Sequence, residues 1–398
     1  MVYKTINNVD CKNKRVLVRV DLNVPMKGSV VSDSTRLKRI KQNINEILIK
    51  GGKPIIIGHL GRPAGKFSEM LSLRNIVPEL TRVLGLKVHF CEDLIGTKAI
   101  NATKQLETNS ILVMENTRFY KEEEENDAKF SEKLSQLGDL FCNDAFSVCH
   151  RAHASTLGIT NFLPSFAGSL VLEELRALEL SLTKPKRPVT AIIGGSKVST
   201  KIELLNNLMS KVDNIIIGGG MANTFLLANG NSIGKSISEP HLVSLAKDIC
   251  NEASLLGCNI HLPIDIITSK SLNECNVART FNTKNCPNDE MIFDCGEKSA
   301  ENYCKIIRKS KTIIWNGPLG VFEQAPFHLG TKKIAQTIAK QTKQYGLNSI
   351  AGGGDTVAAL NQFNLSTHLS YLSAAGGAFL EWLEGKKLPG IEVLQLKK

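Results

Sequence analysis

Short β-rich runs alternate with longer helical stretches along this chain, and that alternation restricts the fold more than any other feature. The candidate strands of the first half are Val16–Val20, Pro54–Ile57, Val88–Phe90, Ile111–Met114 and Leu140–Asn143. Those of the second half are Val189–Ile193, Asn214–Ile217, Asn259–Leu262, Thr312–Trp315, Ser349–Ala351 and Leu369–Ser373. Helical runs such as Arg36–Lys50 and Ser72–Leu84 lie between them. Strand–helix–strand repeats place consecutive strands parallel and join them by right-handed crossovers. The expected class is α/β, with two doubly wound (Rossmann-like) parallel-sheet domains joined by a linking helix and a cleft between them.

The division falls near the middle of the 398 residues, a length that itself favours more than one domain. Ser169–Leu182 reads as one helix rich in Leu and Glu. It stops at Lys184-Pro185-Lys186-Arg187-Pro188, because proline removes a backbone donor and restricts the residue before it. A new strand starts at Val189. The expected organisation is a first domain over 1–168, a linking helix over 169–182, a second domain over 183–380 and a C-terminal segment over 381–398. The apolar set Leu388, Ile391, Val393, Leu394 and Leu396 predicts that this segment docks back on the first domain.

Composition narrows the function classes. No apolar run is long enough to cross a membrane. The opening Met1-Val2-Tyr3-Lys4-Thr5 lacks the apolar core of a secretory signal, so a cytoplasmic protein is expected. The ten cysteines include no Cys-x-x-Cys, and Cys11, Cys91, Cys142 and Cys250 lie in separate segments, which reads as small buried hydrophobes in a reducing compartment and argues against zinc. The net charge of +11 calls for anionic partners. A nucleic-acid surface would cluster its basic residues among aromatics, whereas aromatics here are 6% and basic runs are short. Small anions are therefore expected, with no nucleic acid and no membrane partner.

The polar residues are not spread evenly: they follow the strands. In open α/β sheets, ligands bind outside the carboxyl ends of the strands. After the first run come Asp21 and Asn23, in Arg19-Val20-Asp21-Leu22-Asn23-Val24-Pro25, and then Arg36. His59 and Arg62 follow the second, in Gly58-His59-Leu60-Gly61-Arg62-Pro63. Glu115, Asn116 and Arg118 follow Met114, and Asp144, His150, Arg151 and His153 follow Asn143. Arginine forks grip phosphate and carboxylate bidentately, so converging arginines suit a substrate bearing both groups. The run Glu122-Glu123-Glu124-Glu125 reads as a solvated helix start favoured by the helix dipole.

In the second half the strand ends carry glycine instead: Gly194-Gly195-Ser196-Lys197, Gly218-Gly219-Gly220, Asn316-Gly317-Pro318-Leu319-Gly320 and Gly352-Gly353-Gly354-Asp355-Thr356. Glycine lets backbone amides approach a phosphate, and a following helix N-terminus adds a positive field. Lys197 and Lys201 are four apart, which would put both on one face of the opening helix turns. Asp355 at a helix start suits magnesium, which takes one or two carboxylates plus nucleotide phosphates. No Gly-x-Gly-x-x-Gly fills a strand-to-helix turn, which weighs against a dinucleotide oxidoreductase. Gly234-Lys235-Ser236 looks like a P-loop ending, but Asn229 stands where its first glycine belongs.

Taken in order, these strings resemble the phosphoglycerate kinase family along the whole chain. They include Val18-Arg19-Val20-Asp21-Leu22-Asn23-Val24-Pro25, Glu115-Asn116-Thr117-Arg118-Phe119, His150-Arg151-Ala152-His153-Ala154-Ser155 and Trp315-Asn316-Gly317-Pro318-Leu319-Gly320-Val321-Phe322-Glu323. The resemblance implies reversible phosphoryl transfer between 1,3-bisphosphoglycerate and ADP, giving 3-phosphoglycerate and MgATP, in line and after domain closure. It implies that Asp21, Asn23, Arg36, His59, Arg62, Arg118 and Arg151 hold the glycerate. Arg36 would also neutralise the migrating group, Lys197 would stabilise the transition state and Lys201 would bind nucleotide phosphates. Gly195, Gly219, Asn316, Gly317, Gly353 and Gly354 would shape the nucleotide site, Glu323 would hold the ribose, Asp355 would ligate Mg2+ and Thr356 would bind phosphate. The family also implies a monomer. One departure stands out: Ser373-Ala374-Ala375-Gly376-Gly377-Ala378 occupies a place where the family commonly shows Ser-Thr-Gly-Gly-Gly-Ala. The competing readings are a nucleic-acid binder, a silent scaffold of the same fold, and another sugar or acid kinase.

Overall fold

The computed structural model describes residues 2–396 and divides into two compact units, Met1–Leu175 with Lys387–Lys398, and Arg176–Lys386. Each is built on a parallel sheet of six strands. Among the described residues no helix is long and apolar enough to cross a membrane.

The first sheet runs Lys87–Cys91, Ser110–Met114, Lys53–Ile57, Arg15–Arg19, Leu140–Asn143, Ser165–Ala167. Its central strands are apolar at successive positions, so both faces are buried and β-branched residues dominate. Val16, Val18, Ile56 and Val113 point into one core with Ile44 and Ile47 of the covering helix. Leu17, Ile55, Ile57 and Leu112 point into the other with Phe130 and Leu134. The register sets Arg19 level with both Ile57 and Asn143. Three strands thus end at one height, and the segments beginning at Val20, Gly58 and Asp144 leave side by side.

The second sheet repeats the plan in the order Asn259–His261, Asn214–Ile217, Val189–Ile193, Thr312–Asn316, Asn348–Gly352, Tyr371–Ser373. Ile193 lies level with Ile217 and with Asn316, so the three glycine-bearing loops emerge together.

Several elements differ from the sequence expectation. Ser165–Ala167 is a sixth strand of the first sheet, only three residues long, too short for a period to show. Asp265–Ser269, Arg279–Asn282 and Met291–Cys295 form an antiparallel three-stranded sheet in the second unit that strand–helix alternation does not announce. The run 36–50 is two helices, Thr35–Arg39 and Lys41–Ile49, and Ser72–Leu84 is a 3₁₀ turn, Leu73–Ile76, leading into the α-helix Val77–Leu84. Ser169–Leu178 is α-helical and then widens into a π-helical turn, Glu179–Thr183. In the C-terminal segment Leu388, Ile391 and Leu394 are buried, Lys4 N donates to Leu394 O at 2.9 Å and Gly390 N donates to Cys149 O at 3.0 Å.

Close backbone packing shapes the edge of the second sheet. A Cβ on Gly194 would lie 1.9 Å from Pro318 O, and one on Gly317, whose φ is +96°, would lie 2.3 Å from Gly194 O. Neither neighbour is a side chain that can swing away. Gly194→Ala is expected to destabilise the second unit by about 3 kcal/mol, the upper range for an overpacked interior. Urea unfolding followed by the fluorescence of Trp315 and Trp382, both in the second unit, checks this, and an unchanged midpoint would contradict it.

Candidate functional site

The edge of the first sheet gathers Arg19, Arg36, Arg118 and Arg151 with three histidines, His59, His150 and His153. Arg19, 1% exposed, ends its strand with Nε donating to Ser155 Oγ at 3.0 Å and Nη1 to Val20 O at 2.5 Å. Its Nη2 lies 2.9 Å from His59 Nδ1. Guanidinium has no acceptor, so His59 Nδ1 must accept and the imidazole proton sits on Nε2. Burial first, then Arg19, Arg118, His153 and Arg151, holds His59 far below the usual histidine range, so the ring is neutral. His153 is pushed down to about 4 by burial and then Arg118, Arg151 and Arg19. His150 is lowered by burial and by Arg151, whose Nε donates to His150 Nε2 at 3.2 Å.

The residues singled out in the sequence occupy this edge in different ways. Arg118 is buried, with Nη1 donating to Gly61 O at 3.0 Å and Nε left without a hydrogen bond. Burial lowers its pKa, opposed by Glu124, whose Oε1 lies 3.5 Å from Nε. Arg36 Nη1 reaches Asp21 Oδ2 at 3.1 Å and Asn23 O at 2.8 Å. Asp21 is held from the other side by Ser147 Oγ at 2.7 Å, and Asn23 Oδ1 accepts from Gly61 N at 2.9 Å. Asp21, Asn23 and Arg36 therefore form one bonded group tied to the His59–Arg62 loop. Arg62 and Asn23 are exposed, and Arg151 is half-buried.

One member of the acidic run is corrected by the structure, while Glu122, Glu124 and Glu125 are exposed as expected. Glu123 is fully buried, not solvated. Its carboxylate accepts from Ser155 N at 2.9 Å and from Ser155 Oγ at 2.5 Å, and Ser155 in turn receives Arg19. Glu123 thus anchors, through Ser155, the arginine that orients His59. Neither Glu123 nor Ser155 was singled out from sequence. The available signal is Arg19 itself, a charge directly after the apolar run Val16–Val18, which needs a buried counter-charge.

In the second unit a pocket of about 350 Å³ lies at the glycine-rich loops. Gly195, Gly219, Glu323 and Asp355 line it, with apolar walls that include Ile217, Leu272, Phe293 and Leu319. Gly219, φ +69°, must be glycine because a Cβ would lie 2.7 Å from Gly195 O. The remaining residues form a bonded chain: Lys201 Nζ donates to Asn316 Oδ1 at 2.6 Å, Asn316 Nδ2 to Gly352 O at 2.8 Å, and Gly317 N to Thr356 Oγ1 at 2.7 Å. Gly353 caps the helix Gly354–Gln362, whose first turn holds Asp355.

Lys197 and Lys201 do not share a helical face. The helix begins only at Ile202, and Lys201 is its cap with φ −130°. Lys197 is exposed on the loop, while Lys201 is half-buried. Burial lowers the Lys201 pKa, only partly opposed by Glu384 and Asp355. Its ammonium is bonded to a neutral amide, the setting of a cation that gains from an incoming anion. The apolar wall from Leu272 and Phe293 escaped the sequence reading because Phe293 belongs to the antiparallel sheet and Leu272 to the 3₁₀ helix Leu272–Val277 that links two of its strands. At the departed loop Ala375 is not among the residues of positive φ and is buried, so its methyl is accommodated.

A family model described as phosphoglycerate kinase matches residues 6–386. The phosphoglycerate kinase of Ruegeria sp. (strain TM1040) is 49% identical over 395 residues, covering 99% of this chain and 100% of its own. That of Brucella melitensis biotype 1 is likewise 49% identical, with the same coverage. Among solved structures, phosphoglycerate kinase from Coxiella burnetii superimposes with a TM-score of 0.91 at 41% identity, covering 98% of both chains. The Pyrococcus horikoshii OT3 enzyme gives 0.82 at 28% identity, again covering 98% of both.

The depressed histidines predict how stability responds to acid. Below its ordinary pKa of about 6.5 the unfolded chain takes up protons that the folded protein refuses, His153 until about 4. Stability therefore falls as pH drops through that window. Urea midpoints measured from pH 7 to 5 should decline, and His153→Gln should reduce the slope by close to one proton. An identical slope in the variant would contradict the assignment.

Proposed function

The chain belongs to the phosphoglycerate kinase family, and from that membership we propose how its residues divide the work of phosphoryl transfer between 1,3-bisphosphoglycerate and ADP. The first domain takes the glycerate and the second the nucleotide. The observation that carries this division is the under-compensated positive charge at the edge of the first sheet. Arg118 and Arg151 face neutral histidines there, and Arg118 Nε, paired with Glu124 Oε1 at 3.5 Å, makes no hydrogen bond. A trianionic phosphoglycerate supplies the charge that the protein withholds.

Phosphoryl transfer asks little covalent chemistry of the protein, mainly positioning and neutralisation. A carboxylate is already a nucleophile, so no general base is needed. Arg62, Arg118 and Arg151 bind the anion, with His59 donating from Nε2. Arg36 keeps Nε and Nη2 available while Asp21 and Asn23 grip Nη1, which suits it to the migrating group. Lys197 reaches the same charge from the exposed loop, and Lys201 binds nucleotide phosphate. The walls formed by Gly195, Gly219 and Gly317 admit the nucleotide, with Glu323 on the ribose and Thr356 on phosphate. In-line transfer requires the two bound substrates to meet, so closure belongs to the proposal.

The residues fit Mg2+: Asp355 is an exposed carboxylate on the pocket wall, and one carboxylate plus nucleotide oxygens is a common donor set for that ion. When bound, the ion neutralises phosphate oxygens. A monomer located in the cytoplasm completes the reading and is supported by the family resemblance.

The test is ADP formation from MgATP with and without 3-phosphoglycerate, the product being removed by a coupling enzyme. A glycerate-dependent rate is expected. Arg36→Ala and Lys197→Ala should each lower kcat by about 10²–10³, the loss typical of a transition-state charge contact. Arg36→Ala should change glycerate binding far less, and a variant that loses binding yet keeps turnover would contradict its role.

A further inference from the structure

One buried residue behind the edge of the first sheet ties together segments that carry its arginines and histidines. Glu123 sits in the short helix Lys121–Glu124, just after Arg118, and is fully buried. Its backbone carbonyl accepts from Ala154 N at 2.9 Å. Its carboxylate accepts from Ser155 N at 2.9 Å and from Ser155 Oγ at 2.5 Å. Three bonds thus clamp the end of the run 150–155, which bears Arg151 and His153. Beyond Ser155 the chain of bonds continues to Arg19 Nε at 3.0 Å, and from Arg19 Nη2 to His59 Nδ1 at 2.9 Å.

The direction of these bonds is set from the buried end. A guanidinium only donates, so Ser155 Oγ takes Arg19 Nε on a lone pair and turns its single proton to Glu123. The same guanidinium, held also by Val20 O, then presents Nη2 to His59 Nδ1. Burial raises the Glu123 pKa while Arg19, the Ser155 bonds and Arg118 oppose the rise, so both arginines feel its carboxylate. An arginine without Ser155 keeps its charge and loses one of the contacts that orient its fork.

We propose that Glu123 and Ser155 are positioning residues of the glycerate site: Glu123 holds the 150–155 run directly and, through Ser155, fixes the Arg19 fork that keeps the His59 proton on Nε2, aimed at the anion. Neither residue touches the ligand. This rests on the assignment of glycerate to the first domain made above.

The experiment pairs imidazole 15N NMR of His59 and His153 with steady-state kinetics, on the native protein, Ser155→Ala and Glu123→Gln. Thermal melts establish that each variant is folded. Native His59 should carry its proton on Nε2 alone, and 3-phosphoglycerate should move that signal. Ser155→Ala cuts only the link to Arg19, since the backbone bonds from positions 154 and 155 to Glu123 remain. It should let the two His59 tautomers exchange while His153 stays as it is. It should raise KM for 3-phosphoglycerate about tenfold, one hydrogen bond's worth, with kcat and KM for MgATP nearly unchanged. Glu123→Gln offers one oxygen where two donors need acceptors, so it should disturb His59 and His153 together and raise the same KM. A folded Ser155→Ala with the native His59 spectrum, an unchanged KM for 3-phosphoglycerate or an equal rise in KM for MgATP would overturn the inference and leave a structural role only. If neither variant folds, the native spectrum decides: a proton on Nε2 alone supports the inference and one on Nδ1 overturns it. A His59 signal indifferent to saturating 3-phosphoglycerate would overturn the glycerate assignment and the inference with it, whereas a responsive signal that both variants leave unchanged overturns only the inference.

Discussion

Parallel pairing sends every strand's carboxyl end to one edge of its sheet, and both domains carry their candidate site residues there. In the first sheet, Arg19, Ile57 and Asn143 lie level. One register therefore delivers Asp21, His59 and Arg151 to a single surface. In the second, Ile193, Ile217 and Asn316 do the same for three glycine loops. A one-residue slip would reverse every side chain on the moved strand and bury the wrong set. The wholly apolar strands resist that slip, since both faces are occupied by cores of fixed shape.

The two edges use the same placement for different physics. The first gathers arginines that are only partly offset, Arg36 by Asp21 and Arg118 by Glu124. Arg19 is offset by Glu123 through Ser155, well behind the surface, and its fork sets the tautomer of His59. The histidines stay neutral first because they are buried and then because the surrounding arginines oppose a further positive charge. The second edge works by omission. Cβ atoms are excluded where Gly194, Gly219 and Gly317 pack backbone on backbone, and the space left over becomes a pocket with amides at its wall.

Legibility from sequence followed the same division. The parallel strands were readable because Ile55-Ile56-Ile57 and Ile215-Ile216-Ile217 are short apolar runs with polar residues just after them. Arginines and glycines at strand ends were readable because few structural roles collect them there. Glu123 was not, since local sequence shows an acidic helix start and only the approach of Ser155 buries it. Lys197 and Lys201 were assigned to a helix by spacing alone, whereas the chain turns before the helix begins. The apolar wall around Phe293 depends on an antiparallel sheet inserted between two crossovers, and its strands carry no alternation that sets them apart from a loop.

The central claim is that the first domain holds unneutralised charge in wait for an anionic substrate. Imidazole NMR of His153, followed against pH with and without 3-phosphoglycerate, tests it most directly. The account predicts a midpoint near 4 in the free protein that rises clearly once the anion is bound. A midpoint near the ordinary 6.5 in the free protein, or one that does not move at saturating 3-phosphoglycerate, would contradict it.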